Sequence, residues 1–175
     1  MPKFSTWRLG VLLAMVMVLG SCRESGDGDR FEVSGRLFVF NYRVAIATYL
    51  VTLKPLAPMR EGDIAVAAFE DPAGGDAIVV RQKIWPKLDK VTLESPPLRC
   101  VVKDRPYAIS IRIEDEAGKV LQTIETTMVS SQDQTVLPDR PLVVGPLYTP
   151  NPELAGHPDG QLPDDGSPPC DGPAR

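Results

Sequence analysis

Tyr107, Ile109, Ile111 and Ile113 alternate with Ala108, Ser110, Arg112 and Glu114, and no other feature of the chain limits its fold as much. A period of two puts four large apolar side chains on one face of an extended strand and small or charged ones on the other. Asp115-Glu116-Ala117-Gly118 follows, four residues whose closing glycine suits the left-handed position of a hairpin, and residues 119–129 run back. In that returning strand Leu121 and Val129 fall on one face, Ile124 and Met128 on the other.

Shorter extended runs precede this hairpin. Phe31, Val33, Leu37 and Val39 share a face, with Glu32, Ser34 and Arg36 opposite. From Phe38 the pattern changes, because Phe38, Phe40 and Tyr42 join the polar face and residues 44–53 are nearly continuous in aliphatic and β-branched side chains. Two strands with a bend at 41–43 are expected. Strands are also expected at 63–70, 77–85, 90–94 and 98–103, and a last one at 142–144. Pro55 and Pro58, the Asp71-Pro72-Ala73-Gly74-Gly75-Asp76 turn and Ser95-Pro96-Pro97 separate them. No stretch between residues 22 and 175 places apolar residues at i, i+3, i+4 and i+7 over ten positions. The expected fold is therefore all-β, a single small β-sandwich of about seven or eight strands, immunoglobulin-like or transthyretin-like. Its core is expected to rest on Leu37, Val39, Ile64, Val66, Tyr107, Ile109, Ile111 and Ile113. The domain is expected over 31–145. Residues 146–175 hold twelve Pro or Gly in thirty positions and are expected to be a disordered tail.

The start of the chain concerns location. Lys3 and Arg8 precede twelve uncharged, mostly apolar residues, 9–20, and then Ser21-Cys22. A basic start, a short apolar stretch and small residues before a cut describe a secretory signal peptide. Twelve residues are too few for a membrane span, which needs about 20. An ordinary cut after Gly20 would leave Cys22 a free thiol. Leu19-Gly20-Ser21-Cys22 resembles the lipobox of bacterial lipoproteins. That resemblance implies cleavage between Ser21 and Cys22 and acylation of Cys22 by diacylglyceryl and palmitate-type chains. It also implies a protein held in the cell envelope and facing the periplasm. Arg23 rather than Asp at the next position leans toward the outer membrane where the host has one. Residues 22–30 are then a polar, glycine-containing tether.

The full chain has 19 basic and 23 acidic residues; removal of the leader with Lys3 and Arg8 leaves 17 against 23, a net −6. An acidic chain has no electrostatic reason to bind nucleic acid. The expected partners are the membrane, through the covalent lipid, and an envelope protein. Two cysteines remain beyond the lipid site. Leu98, Cys100 and Val102 alternate with Arg99 and Lys103, which places Cys100 in the core as a small apolar residue. A Cys100–Cys170 disulfide is the alternative, open in an oxidising compartment.

Catalytic chemistry is sparse. The one histidine, His157, lies in the tail, poorly placed to serve a nucleophile. Cysteine and histidine are too few for a structural zinc site, and no metal or other cofactor is expected. Two acidic groups flank turns, Glu70 with Asp71 and Glu114 with Asp115 and Glu116. A pair of carboxylates among them could serve as acid and base, but acids occur beside turns anyway, and no enzyme activity is expected. The Phe38-Phe40-Tyr42 surface is the candidate partner site, against the reading in which this stretch is simply covered on both faces.

Residues 58–129 resemble the YbaY/YscW-type lipoprotein domain. Met59-Arg60-Glu61-Gly62-Asp63-Ile64 leads into Val66, Phe69 and Asp71 like that family's strand and Asp-containing turn. Pro96-Pro97-Leu98 leads to Arg105-Pro106-Tyr107 and the isoleucine run, and Val33-Ser34-Gly35 resembles its opening strand. The resemblance implies a small β-sandwich and a binding, assembly or chaperone role of the pilotin kind. It carries over no catalytic residue. An envelope hydrolase and a purely structural lipoprotein are the alternatives.

Overall fold

The period-two runs become strands, and their apolar faces meet. The computed structural model describes residues 28–163 and Cys170. Strands β1 (Phe31–Asn41), β2 (Ile46–Pro55) and β5 (Val91–Glu94) form one antiparallel sheet in the order β1-β2-β5. Strands β3 (Ile64–Phe69), β4 (Ile78–Lys83), β6 (Pro106–Glu114) and β7 (Val120–Val129) form the other, in the order β4-β3-β6-β7. The chain is an all-β sandwich. Its connectivity is immunoglobulin-like, with the fourth strand on the sheet of the third, sixth and seventh rather than beside the fifth. A two-residue pair, β8 (Val143–Val144) and β9 (Thr149–Pro150), lies apart.

The isoleucine run behaves as its pattern demands. Tyr107, Ile109, Ile111 and Ile113 are fully buried, and Ile124 and Met128 of β7 face the same core. Tyr107 adds a polar tie at the crossing between the sheets: its hydroxyl accepts the Val102 N–H at 2.8 Å. This is the tyrosine-corner arrangement, in which a tyrosine opening the sixth strand bonds backward to the chain that crossed the sandwich. Tyr49 stacks on Phe69 with centroids 5.0 Å apart, and Phe38 closes on Tyr49 at 4.7 Å.

Four expectations fail, each for a local reason. Leu37 and Val39 do not join the core. The β1–β2 register shifts between Val33 and Gly35, and such a bulge moves every later side chain to the other face. Phe31 and Val33 point inward before it, Phe38 and Phe40 after it, and Leu37 is left exposed. On β3 the core face is Ala65, Ala67 and Phe69, so Val66 is buried on the opposite face of the sheet and Ile64 only half-buried. Residues 98–103 form no strand. Only an isolated Ala47–Leu98 bridge is made, Cys100 takes a left-handed φ of 63°, and Val101, not Cys100, fills the core. Pro96 and Pro97 cannot donate to a ladder, and this segment spends its backbone groups on Gln134 while it crosses between sheets.

The fourth concerns the Pro/Gly-rich stretch, which is structured as far as residue 163. Leu142 N–H donates to the Arg43 carbonyl at 2.9 Å, which fastens the stretch to the β1–β2 turn. Asn151 pairs with Leu142 and Pro141 and starts a short 3-10 turn at Pro152–Leu154. Asp139 N–H donates to Gly160 O at 3.0 Å, and Leu162 N–H to the Asp139 carboxylate at 2.8 Å. Residues 139–162 thus form a closed loop against one end of the sandwich. The rest of the expected tail, apart from Cys170, lies outside the described residues.

Candidate functional site

The two ends of the sandwich differ in chemistry. At one end the chain enters. Gln122 on β7 holds the entry: its Oε1 accepts the N–H groups of Arg30 and Phe31, both at 2.9 Å, and its Nε2 donates to Phe31 O at 2.8 Å. A side-chain amide here stands in for the strand that β1 lacks on that edge. Leu56 N–H donates to Arg30 O at 2.8 Å, and the Arg30 guanidinium lies 4.0 Å from the Asp63 carboxylate. Burial pushes the Asp63 carboxyl above its ordinary pKa, with Arg30 and Arg60 opposing the shift. Ile84 N–H donates to Asp63 O at 2.9 Å, which brings the β4–β5 loop to the same end.

The opposite end carries the β1–β2 turn. A 3-10 turn at Tyr42–Val44 closes on Ala45, whose φ of 54° is left-handed. The structure separates the three aromatics of the expected partner surface. Phe38 and Phe40 are partly buried against the core, and Tyr42, 46% exposed, is the most open of the three. The turn instead gains the β8–β9 hairpin as a neighbour. Gly145-Pro146-Leu147-Tyr148 forms its loop, with Leu147 84% and Tyr148 59% exposed. The Arg43 guanidinium lies 5.4 Å from the Tyr148 ring centroid, and the Tyr42 hydroxyl donates to Asp159 O at 3.3 Å. The result is an exposed tip of Tyr42, Arg43, Leu147 and Tyr148. Sequence reasoning placed Leu147 and Tyr148 in a disordered tail. Their signal was an apolar pair set between Gly145-Pro146 and Thr149-Pro150, where a solvated linker would have polar residues.

Of the candidate acid–base carboxylates, Glu70, Asp71, Glu114 and Asp115 have structural partners, and the two groups stand far apart. Glu70 bonds Arg105 at 2.7 Å and accepts the Ala108 N–H at 2.9 Å. The backbone carbonyl of Glu70 accepts the hydroxyl of Tyr49, which burial lifts far above the ordinary tyrosine pKa. Asp71 accepts the Ala73 N–H within its own turn. Glu114 lies between Arg81 at 2.9 Å and Arg112 at 3.2 Å, and Asp115 accepts the N–H groups of Ala117 and Lys119 in the hairpin. Glu114 pairs with Ile64 at the start of β3, and Glu70 follows its end. Six residues of strand separate them by roughly 20 Å, well beyond the ~5–10 Å that a carboxylate pair needs to share one bond. Among the described residues no three metal-ligating side chains cluster.

Cys100 and Cys170 are joined by a disulfide, with Cα atoms 5.1 Å apart. The left-handed turn at Cys100 carries its side chain away from the core position that alternation had assigned to it. Cys22, with the cleavage site at Ser21, lies outside the described residues.

No protein family matches the chain, and no curated protein does. Among solved structures, the chain is similar to a β-glucuronidase from Bacteroides uniformis at 11% identity and a TM-score of 0.38, over 57% of this chain and 12% of that one. It is likewise similar to OgpA from Akkermansia muciniphila at 17% identity and a TM-score of 0.38, over 61% of this chain and 30% of that one. The chain thus spans under a third of either protein, and a likeness at that TM-score carries nothing about activity.

Proposed function

We propose that this protein is a lipid-anchored β-sandwich of the bacterial cell envelope that binds an envelope protein through its Tyr42–Arg43–Leu147–Tyr148 tip. The observation that carries the reading is the opposition of the two ends. The tether joins at Phe31 and the tip begins at Asn41, the first and last residues of the 11-residue β1, ~35 Å apart at the rise of a strand. An acylated Cys22 would hold one end at the bilayer and leave the tip facing away from it. The tip has the composition of an interface centre: tyrosine, arginine and a large aliphatic side chain, displayed on a turn and a hairpin that a firm scaffold holds. No turnover is involved; the activity is binding at a fixed location.

The test is affinity capture from native envelopes with the lipidated protein, its Leu147→Asp variant and the unlipidated Cys22→Ser chain. Leu147 is exposed, so its substitution leaves the fold intact, which a thermal melt checks. A specific partner lost at least tenfold in Leu147→Asp supports the reading. A partner retained equally by Leu147→Asp, or none above the Cys22→Ser control, contradicts it.

A further inference from the structure

The tether-proximal end has features that the tip does not explain. The β4–β5 loop and the residues beside it read Gln82-Lys83-Ile84-Trp85-Pro86-Lys87-Leu88-Asp89-Lys90. Ile84 is fully buried and anchors the loop, while Trp85 is 48% and Leu88 53% exposed. These two large apolar side chains border a shallow groove of about 290 Å³. Lys83 Nζ lies 4.6 Å from the centroid of the Trp85 ring. Lys87 and Lys90 follow, and Asp89 is the one acid within the loop. A locally cationic loop in a chain with net charge −4 calls for a reason. Leu56, also exposed, sits at this end beside Arg30.

We infer that this loop is a membrane-docking surface: Trp85 and Leu88 enter the headgroup region of the bilayer that holds the lipid anchor, and Lys83, Lys87 and Lys90 meet its phosphates. The inference rests on the lipoprotein reading of Cys22. Three observations select a bilayer as the occupant. Arg30, which leads into β1, is paired with Asp63, and the Asp63 backbone carbonyl with Ile84, so the start of β1 and the loop share one end of the sandwich. Arg30 is eight residues after Cys22, and eight residues span at most ~29 Å whatever their conformation, which keeps the loop within reach of the headgroups. An indole with flanking lysines is the pairing that settles at a membrane interface, apolar body inward and charge outward. The lipid supplies attachment, and the loop sets orientation, with the tip pointing away from the bilayer.

Trp7 lies in the expected leader and Trp85 is the only other tryptophan, so the mature chain carries a single intrinsic fluorophore at the proposed contact. The lipidated protein is reconstituted into phosphatidylethanolamine–phosphatidylglycerol vesicles with and without brominated phospholipid. Acylation is read by mass and attachment by flotation. Docking predicts a blue-shifted Trp85 emission, quenched at least twofold by the brominated lipid, and relieved in a Leu88→Asp variant that still floats. A chain that carries acyl mass and floats while Trp85 stays unshifted and unquenched overturns the docking alone. A chain without acyl mass overturns anchor and docking together. Emission that shifts with soluble glycan fragments but not with vesicles assigns the loop to a glycan and also overturns the inference.

Discussion

Asp63 shows how one residue joins tether, loop and sheet, its carboxylate at a cost. Its carboxylate is buried and faces Arg30, yet its pKa is raised, because burial outweighs the two arginines. The folded protein therefore holds that proton more tightly than the unfolded chain, and stability falls as pH rises from about 3.8 through the folded value. Asp63→Asn removes this term. Urea denaturation at pH 4 and pH 7 is expected to show the wild type losing stability relative to Asp63→Asn at the higher pH. An unchanged difference would contradict the account. Gly160 is a second single-residue control point. Its φ is +75°, and a Cβ there would lie 2.5 Å from Pro138 Cβ and 2.7 Å from Leu142 Cδ2. Gly160→Ala should detach the 139–162 loop and leave the sandwich folded. Limited proteolysis should then cut within 139–162 faster, with the main thermal transition in place. These two residues were not legible in the sequence, because Asp63 acts through Arg30 and Ile84, both more than twenty residues away, and Gly160 through a backbone angle and the close approach of Pro138 and Leu142.

At the scale of elements, legibility followed periodicity. The strand that alternates over eight residues, Tyr107 to Glu114, was readable in position, face and partner. The strand β1 was readable in position, and its face was right through Val33 and reversed beyond the bulge at Ser34, for which Gly35 was the only mark in the sequence. Residues 98–103 alternated as a strand does and are not one, since a crossing segment is decided by what it bridges. Gln122 makes the most specific element-level prediction. One amide satisfies three backbone groups at the mouth of β1. Gln122→Ala leaves them without that partner and should cost about 2 kcal/mol, read by urea denaturation. A loss under 0.5 kcal/mol would mean that β1 is held at Phe31 by other means.

For the whole molecule, all-β content and the sandwich were legible and the tip was not. Proline and glycine counts separate packed chain from disordered chain only on average; here the same residues build turns that hold Leu147 and Tyr148 outward. The Cys100–Cys170 disulfide closes a 70-residue loop around this end. Chain-entropy reasoning gives up to about 4 kcal/mol for a loop of that length. Reduction should lower the melting temperature and raise protease sensitivity around 139–163, while two free thiols before reduction in the Cys22→Ser chain would contradict the bridge.

The central claim is that the two ends face different surroundings, and photo-crosslinking reads both in one measurement. A benzophenone amino acid is placed at position 88 in one lipidated protein and at position 147 in another, and both are irradiated in native envelopes. The account predicts phospholipid adducts from 88 and a discrete protein adduct from 147. Phospholipid adducts from 147, or protein adducts from 88 alone, would contradict it.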